Sequence, residues 1–310
     1  MKLIKAYHDK CKIAYLILAH TDPCHLSRLV RALSAADADC FIHVDKKKDI
    51  GLFRPHGKGE ANVVWLPDRV EVSWAGLSVV YATLRLLAAA FAASKKYDYY
   101  VLLSGQDYPI KTQSFIADFL ASQPYRQHLK ALDCRQSPLH LAHIAYYVWM
   151  DKWFTGDEFL RQALRKLSRP FRKPVPAGRV PYCGSQWWGL TEDCVEYILK
   201  YVQTHPELLR YYRTTWAPDE HVFHTIVFNS PFRSQTAGVI GPELWDPAKF
   251  SNLHIIHPSL TKIYGADDFE EIKNSEKCFV RKTTSEKSSS LLDMIDDALL
   301  QRHCPGAPGE

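Results

Sequence analysis

The residues best suited to acid–base chemistry form the segment Trp216-Ala217-Pro218-Asp219-Glu220. A proline at a first helical position, followed by two acids, is typical of a helix start. There the helix dipole and free amide groups would keep a carboxylate ionised, so Glu220 could accept a proton as a general base. A purely structural helix start fits the same pattern, and the segment alone leaves both interpretations open.

Polar segments also follow three strand-like runs, at residues 20–22, 43–48 and 104–109. In an open parallel sheet, ligands bind beyond the carboxyl ends of the strands. A single Asp after a strand is commonly a turn former, but three such segments at one edge favour a polar cleft. No G-x-G-x-x-G or Walker loop is present, which argues against a dinucleotide enzyme. The candidate donor-binding residues in these segments are His20, His43, Asp45 and Asp107.

Two further pairs of residues could contact a ligand. Arg281 and Lys282 could bind an anion, although a solvated end of a strand fits them equally well. Trp187 and Trp188 could stack on acceptor sugars, with core packing as the alternative. Adjacent residues of a strand face opposite sides, so we expect at most one tryptophan to line the cleft.

The first 125 residues alternate between strand-like and helix-like patterns. Apolar runs predict strands at 12–20, 40–44, 62–66 and 99–103. Helical periodicity predicts helices at 24–36 and 76–95, the second apolar almost all round. This βαβ order predicts an α/β fold with a mostly parallel sheet and helices on both faces.

The rhythm changes after residue 126. We predict a strand at 140–150, a proline-containing loop at 161–180 and another strand at 182–190. Helices follow at 191–202, capped by Thr191, and at 218–228, and a last helix covers 285–303. We expect one catalytic domain, 1–310, with a nucleotide-binding half at 12–125 and a catalytic and acceptor-side half at 126–303.

The composition is that of an ordinary globular protein, with 310 residues, 46% hydrophobic and 24% charged. The formal charge of +5 is too diffuse to predict nucleic-acid binding. The eight cysteines show neither C-x-x-C nor zinc spacing, so we expect reduced thiols in a cytoplasmic protein. The longest apolar stretch, 86–93, is too short to span a bilayer. Peripheral attachment to the cytoplasmic membrane face stays open.

Seven motifs occur in an order and spacing that cover residues 12–295. They lie at 14–20, 42–45, 72–78, 102–112, 184–188, 217–220 and 279–282. On these motifs the chain resembles the core-2/I-branching β-1,6-N-acetylglucosaminyltransferases and the related peptide O-xylosyltransferases. The resemblance implies a GT-A-like, Rossmann-type nucleotide-sugar fold and a single displacement that inverts the anomeric centre.

The resemblance also implies roles for individual residues. The base of the family falls on Glu220. This chain has Ala217 where the family has serine, a change that should cost some helix stability but not the chemistry. The family lacks the metal-binding Asp-x-Asp motif and neutralises the diphosphate with basic side chains. One such position matches Lys282, beside Arg281, and Lys262 is a candidate for a second.

The donor is expected to be UDP-N-acetylglucosamine or UDP-xylose, and the acceptor a carbohydrate hydroxyl. By the same resemblance Asp107 lies near the donor sugar, Asp45 and His43 border the nucleotide, and no metal cofactor is needed. Eukaryotic relatives carry a membrane anchor and a disulfide-containing stem; their absence suggests a bacterial enzyme of surface-glycan synthesis. Two alternatives stay open: a metal-dependent GT-A transferase with Asp45 or Asp107 as a ligand, and a non-catalytic nucleotide-sugar or carbohydrate-binding protein.

Overall fold

A computed structural model describes residues 11–54, 62–151, 158–168, 170–175, 178–244 and 246–301. The strands in these ranges are β1 (Ile13–Ala19), β2 (Ala38–Val44), β3 (Val63–Trp65), β4 (Tyr99–Ser104), β5 (Asp107–Pro109), β6 (Leu132–Asp133), β7 (Tyr182–Cys183), β8 (Gly189–Thr191), β9 (His254–Ile256) and β10 (Phe279–Arg281). The α-helices are α1 (Pro23–Leu33), α2 (Leu77–Phe91), α3 (Gln113–Ser122), α4 (Pro138–Ala145), α5 (Glu158–Ser168), α6 (Glu192–Thr204), α7 (Pro206–Tyr212), α8 (Val222–Phe228), α9 (Pro247–Phe250), α10 (Phe269–Lys273) and α11 (Ser289–Ala298).

The central sheet has the strand order β3-β2-β1-β4-β8. The first four strands are parallel, and β8 pairs antiparallel with β4 at the edge. The predicted α/β fold with a mostly parallel sheet is therefore confirmed. The chain moves outward from β1 to β3 and then returns to the other side of β1 as β4, so the order reverses between β1 and β4.

Two hydrophobic cores cover the two faces of this sheet. Along β1, Ala14 and Leu16 belong to the core that α2, α6 and α8 complete. Tyr15 and Ile17 belong to the other core, with α1, α3 and α11. Both faces are covered, which explains why β1 and β4 are almost wholly apolar in sequence.

Two smaller sheets join distant parts of the chain. β10 pairs antiparallel with β5 and parallel with β9, which places Arg281 opposite Asp107. β6 and β7 form a separate antiparallel pair. Strands from the 126–303 half thus pair with strands of the 12–125 half, at β8 and at β10.

Two sequence-based assignments in the second half are wrong. The strand predicted at 140–150 begins instead as helix α4, because Ser137 accepts a hydrogen bond from His140 N–H and Pro138 occupies the first turn. The loop predicted at 161–180 contains most of α5. Its prolines begin only at Pro170, after the helix has ended.

Other boundaries differ for local reasons. The strand predicted at 182–190 survives only as β7 and β8. Between β7 and β8, a Cβ on Gly184 would lie 2.4 Å from the Lys130 carbonyl, so this position packs too closely for any residue but glycine.

Thr191 precedes α6, but its hydroxyl accepts a hydrogen bond from Gln127 and does not cap the helix. The helix predicted from Pro218 divides into a 3₁₀ turn and α8. The helix predicted at 285–303 is the shorter α11, and residues 302–303 lie outside the described ranges.

Within the described ranges, every helix is too short or too polar to cross a bilayer.

Candidate functional site

The carboxyl ends of β1, β2 and β4 meet at one edge of the central sheet. Asp45 N–H donates to the Ala19 carbonyl over 2.8 Å, and Gly105 N–H donates to the Leu18 carbonyl over 2.9 Å. The sheet order reverses between β1 and β4, which is where ligands of open α/β sheets bind. The polar segments that begin at His20, His43 and Ser104 therefore converge as the sequence predicts.

Asp107 is fully buried at this edge and has three partners. Its carboxylate accepts from Arg281 at 2.7 Å, from the backbone of Ser104 at 2.7 Å, and contacts His254 Nε2 at 3.1 Å. The Arg281 guanidinium lies 4.2 Å from the Trp187 ring centroid. We call Asp107, His254, Arg281 and Trp187 the Asp107 cluster.

The charges in the Asp107 cluster stabilise one another. Burial alone would raise the pKa of Asp107, but the Arg281 guanidinium and then His254 hold it below its usual range. The carboxylate is thus ionised and fixes the guanidinium at the sheet edge. His254 was not predicted from sequence, because its link to Asp107 depends on the pairing of β10 with both β5 and β9.

Lys282 adds a second positive charge next to Arg281. Partial burial and then the charge of Arg281 lower the pKa of Lys282. Burial and then the charge of Arg281 also lower the pKa of His20. The charges of Lys48 and Lys282 lower it further. A neutral histidine and several cations therefore lie around the ends of β1 and β10, an arrangement suited to an anionic ligand.

Two predicted nucleotide-binding residues serve mainly to hold the loop after β3. His43 is buried, and its Nε2 accepts from Val70 N–H at 2.8 Å. Burial lowers the pKa of His43 to about 4, so its ring is neutral. Its expected place beside the nucleotide is wrong, because the ring is enclosed. Asp45 accepts from the Val72 backbone at 3.2 Å and pairs with Lys47, so its carboxylate also holds this loop.

Lys262 already has a partner. Its Nζ lies 2.6 Å from an Asp268 carboxylate oxygen and 4.7 Å from the Tyr264 ring centroid. Tyr264 N–H donates to the Lys282 carbonyl, which brings this segment alongside the basic pair. Lys262 is therefore adjacent to the cationic edge, but its charge is balanced there.

The segment that carries Glu220 lies beside the start of α2. Ala217 N–H donates to the Ala75 carbonyl at 3.1 Å, and Ala217 has a left-handed φ of 45°. Pro218–Glu220 then forms a 3₁₀ turn, and Gly184 N–H donates to the Glu220 carbonyl at 2.9 Å. Glu220 thus adjoins the 184–188 segment, which also carries Trp187 of the Asp107 cluster.

The acids of this turn behave differently from the sequence-based expectation. Burial and then the charge of Asp219 raise the pKa of Glu220 to about 7. Burial raises the pKa of Asp219 to about 6. The expected stabilisation of the ionised Glu220 carboxylate by a helix start is not seen, because a single 3₁₀ turn supplies little dipole to offset the desolvation of two adjacent carboxylates. A half-buried carboxylate with a raised pKa is a stronger base than a surface one.

The two tryptophans of the 184–188 segment are both turned inward. Trp188 is fully buried against Phe223, so its predicted acceptor contact is wrong. Trp187 is 8% exposed and packs on Arg281, which places it beside the donor edge. A different tryptophan reaches solvent: Trp74 is 75% exposed and lies edge-to-face with the partly buried Trp216, with 5.1 Å between ring centroids.

Three other residues hold the site; Asp22 lies in the predicted 20–22 segment, whereas His25 and Asp151 were not predicted from sequence. His25 bridges the Gly105 carbonyl at 2.9 Å and the Thr283 hydroxyl at 2.8 Å. Asp22 caps α1 and accepts from Ser285. Asp151 caps α2 through the amides of Leu77 and Ser78. A Cβ on the preceding Gly76 would lie 2.2 Å from that carboxylate. Only the first aspartate could have been found, as an N-cap before a helix start.

Comparison with known proteins identifies the family. The family model described as Core-2/I-Branching enzyme matches residues 13–239. Xylosyltransferase 2 of Rattus norvegicus and of Homo sapiens are each 26% identical over 312 residues, which cover 96% of this chain and 35% of the relative. Xylosyltransferase oxt of Drosophila melanogaster is 28% identical over 214 residues, covering 66% of this chain and 22% of the relative.

This chain spans about a third of the length of the two mammalian relatives. The region matched by the family model contains β1 to β4 and the turn with Glu220. Arg281 and Lys282 lie beyond that region, but the alignments with the relatives, which cover 96% of the chain, include them. The match extends over more than half of the chain and includes the sheet edge described above. The chain therefore belongs to the Core-2/I-Branching enzyme family, a family of glycosyltransferases.

Proposed function

We propose that this chain transfers N-acetylglucosamine or xylose from a UDP-sugar to a carbohydrate hydroxyl, with inversion and without a catalytic metal. The main support for this proposal is that the 184–188 segment contacts both the Glu220 turn and Arg281. Gly184 bonds the Glu220 turn, and three residues later Trp187 packs on Arg281. A candidate base and a candidate diphosphate site are thereby held by the two ends of one short segment.

The cationic edge would stabilise the departing UDP. Negative charge grows on the diphosphate as the glycosidic bond breaks, so fixed cations act more strongly in the transition state than in the ground state. A charge at about 4 Å contributes roughly 4 kcal/mol at an effective dielectric constant of about 20. Lys282 would supply this charge directly, while Arg281, paired with Asp107 at 2.7 Å, would add a hydrogen-bond donor at the same edge. Asp45 and Asp107, the candidate ligands of a metal-dependent rival, are engaged with Lys47 and Arg281.

Glu220 would act on the acceptor. Its carboxylate accepts the proton of the attacking hydroxyl as the oxygen bonds to the anomeric carbon and UDP leaves from the opposite face. This single displacement inverts the anomeric configuration. Among the described residues no hydrogen bond or ion pair engages the Glu220 carboxylate, so a substrate hydroxyl would meet no competing partner there.

The pair formed by the exposed Trp74 and the partly buried Trp216 fits the acceptor side. Trp216 is four residues before Glu220, and Trp74 packs against it at the surface. Aromatic rings that combine an apolar face with exposure suit the apolar faces of sugars. Trp74 and Trp216 therefore replace Trp188 as the proposed acceptor contacts.

The relatives named xylosyltransferase make UDP-xylose the first donor to test, with UDP-N-acetylglucosamine second. Thermal-shift titration should show stabilisation by UDP and by one of these donors, but not by the matching ADP-sugar. The anomeric configuration of the product, read by NMR, should be opposite to that of the donor. A retained configuration would contradict the single displacement.

Metal dependence is tested in the same assay. We expect transfer to proceed in excess chelator and to gain nothing from added Mg²⁺ or Mn²⁺, because basic side chains balance the diphosphate charge. A loss of about tenfold or more in chelator, equivalent to about 1.4 kcal/mol in the barrier, and its recovery with manganese would favour the metal-dependent alternative.

A further inference from the structure

A group of buried metal-ligand side chains lies behind the Glu220 turn. Cys134 opens the 3₁₀ turn Cys134–Gln136 after β6, Cys183 ends β7, and His221 directly follows Glu220. Their ligand atoms all lie within 4.8 Å of one another. None of the three side chains is more than 1% exposed. Three separate segments thus bring two sulfurs and one ring nitrogen to a single point in the interior.

The backbone fixes the two thiols beside each other. β6 and β7 pair antiparallel with Leu132 opposite Cys183, and Cys134 N–H donates to the Pro181 carbonyl at 2.9 Å. Cys134, just past the end of β6, and Cys183 are therefore diagonal neighbours across this strand pair, close enough for their side chains to meet.

The orientation of His221 is that of a metal ligand. Its Nδ1 lies 2.9 Å from the Ala217 carbonyl, an acceptor, so Nδ1 carries the proton and the Nε2 lone pair is free. Within the described part of the chain, this buried Nε2 has no nitrogen or oxygen partner and lies next to the Cys134 thiol. Metal-ligating histidines commonly donate their other N–H to a carbonyl in this way.

We propose that Cys134, Cys183 and His221 bind one zinc ion that ties the Glu220 turn to the β6–β7 sheet. Two thiolates balance the charge of Zn²⁺, which suits a fully enclosed position, and the thiol protons are released to solvent as the Zn–S bonds form. Imidazole nitrogen and cysteine sulfur are the ligands that zinc prefers, and a water can complete a tetrahedral site with three protein ligands.

This site shares no residue with the Asp107 cluster or Lys282, so it is separate from the diphosphate chemistry. The sequence-based expectation of no metal site depended on local ligand spacing, and these ligands come from distant positions. Bound zinc would hold the backbone at His221 and so fix the position of the neighbouring Glu220. The zinc site is a separate proposal from the transfer reaction. It can be tested on its own, because metal content is measured without any substrate.

The test is the zinc content of the full chain, produced in zinc-supplemented medium and purified under reducing conditions without chelator. We expect one zinc per chain. Cys134→Ser and Cys183→Ser should each lower the zinc content at least about tenfold. Cys194→Ser, a change at another fully buried cysteine outside the group, should keep it. Cobalt substituted into the wild-type chain should give sulfur-to-metal charge-transfer absorption and the visible bands of a tetrahedral site.

Wild-type chain with only trace zinc and no sulfur–cobalt absorption would overturn the proposal, even if the variants fail to fold. Equal zinc loss in a Cys194→Ser variant that circular dichroism shows to be folded would also overturn it, as would a Cys134–Cys183 disulfide found by peptide mass analysis of the reduced preparation. Brief chelation that stops transfer while the zinc content stays at one per chain would instead contradict the metal-free diphosphate site. The two proposals therefore fail separately.

Discussion

Buried carboxylates have charged partners in the Asp107 cluster but lack a guanidinium partner in the turn that carries Glu220. In the Asp107 cluster the carboxylate has a guanidinium, a histidine and a backbone amide as partners. In the turn two adjacent acids share a desolvated position, and Asp219 Oδ1 has no hydrogen-bond partner among the described residues. The pKa of Asp107 is lowered, whereas the pKa values of Asp219 and Glu220 are raised.

This difference indicates that the two regions have different roles. A carboxylate with all its partners holds a neighbouring cation in place and is expected to matter for folding and donor binding. Carboxylates without a guanidinium partner are destabilised by burial in their charged form and gain by taking up a proton. Substitutions in the two regions should therefore change different measured quantities: stability and UDP affinity in one, turnover in the other.

The largest stability effect is expected from Arg281→Ala. It leaves Asp107 buried without its guanidinium, and breaking a buried pair costs about 3–5 kcal/mol. Urea unfolding should show this loss. Arg85→Ala is the matched control, because it removes an arginine from the exposed pair with Asp68 and should cost about 0–1 kcal/mol. Equal losses of unfolding free energy in the two variants would mean that the buried ion pair stabilises the fold no more than the exposed one.

Lys282→Ala should mainly change ligand binding. Removal of a charge-assisted hydrogen bond to the diphosphate costs about 1.5–3 kcal/mol. UDP should then bind roughly 10- to 150-fold more weakly, since about 1.4 kcal/mol corresponds to a factor of ten. Uridine lacks the phosphates and should bind as before, and calorimetry measures both ligands.

Lys287→Ala, at an exposed position, is the control for Lys282 and should leave UDP affinity unchanged. Equal weakening of UDP and uridine in Lys282→Ala would show a general loss of structure instead of a diphosphate contact. An unchanged UDP affinity would move the cationic contact elsewhere, and Lys262 would be tested next.

The smallest effect concerns the backbone of the Glu220 turn. Ala217 has a φ of 45°, a region in which alanine is strained by about 1–2 kcal/mol and glycine is not. Ala217→Gly should therefore stabilise the chain by about 0.5–1 kcal/mol after the entropy cost of glycine. Ala88→Gly, on the exposed face of α2, should destabilise it by about 1 kcal/mol. Thermal unfolding that gives both changes the same sign would refute the strain at Ala217.

The sequence predicted the parallel half of the fold well, because β1, β2 and β4 are short apolar runs separated by clear helical patterns. It failed at α4 and α5, where aromatic residues and nearby prolines hid ordinary helix signals. The convergence at the sheet edge followed from topology. The partners of Asp107 and the burial of Trp188 did not, because they depend on strand pairings between distant parts of the chain.

We propose that Glu220 deprotonates the acceptor, and one comparison of variants tests this role most directly. UDP release from the donor, with acceptor or with water in its place, is measured for the wild type, Glu220→Gln and the exposed control Glu196→Gln, all in the same chelator-free buffer. We predict that Glu220→Gln lowers turnover by about 10²–10⁴-fold, the usual contribution of a general base, and leaves UDP affinity unchanged, while Glu196→Gln matches the wild type. Turnover retained in Glu220→Gln would contradict the account.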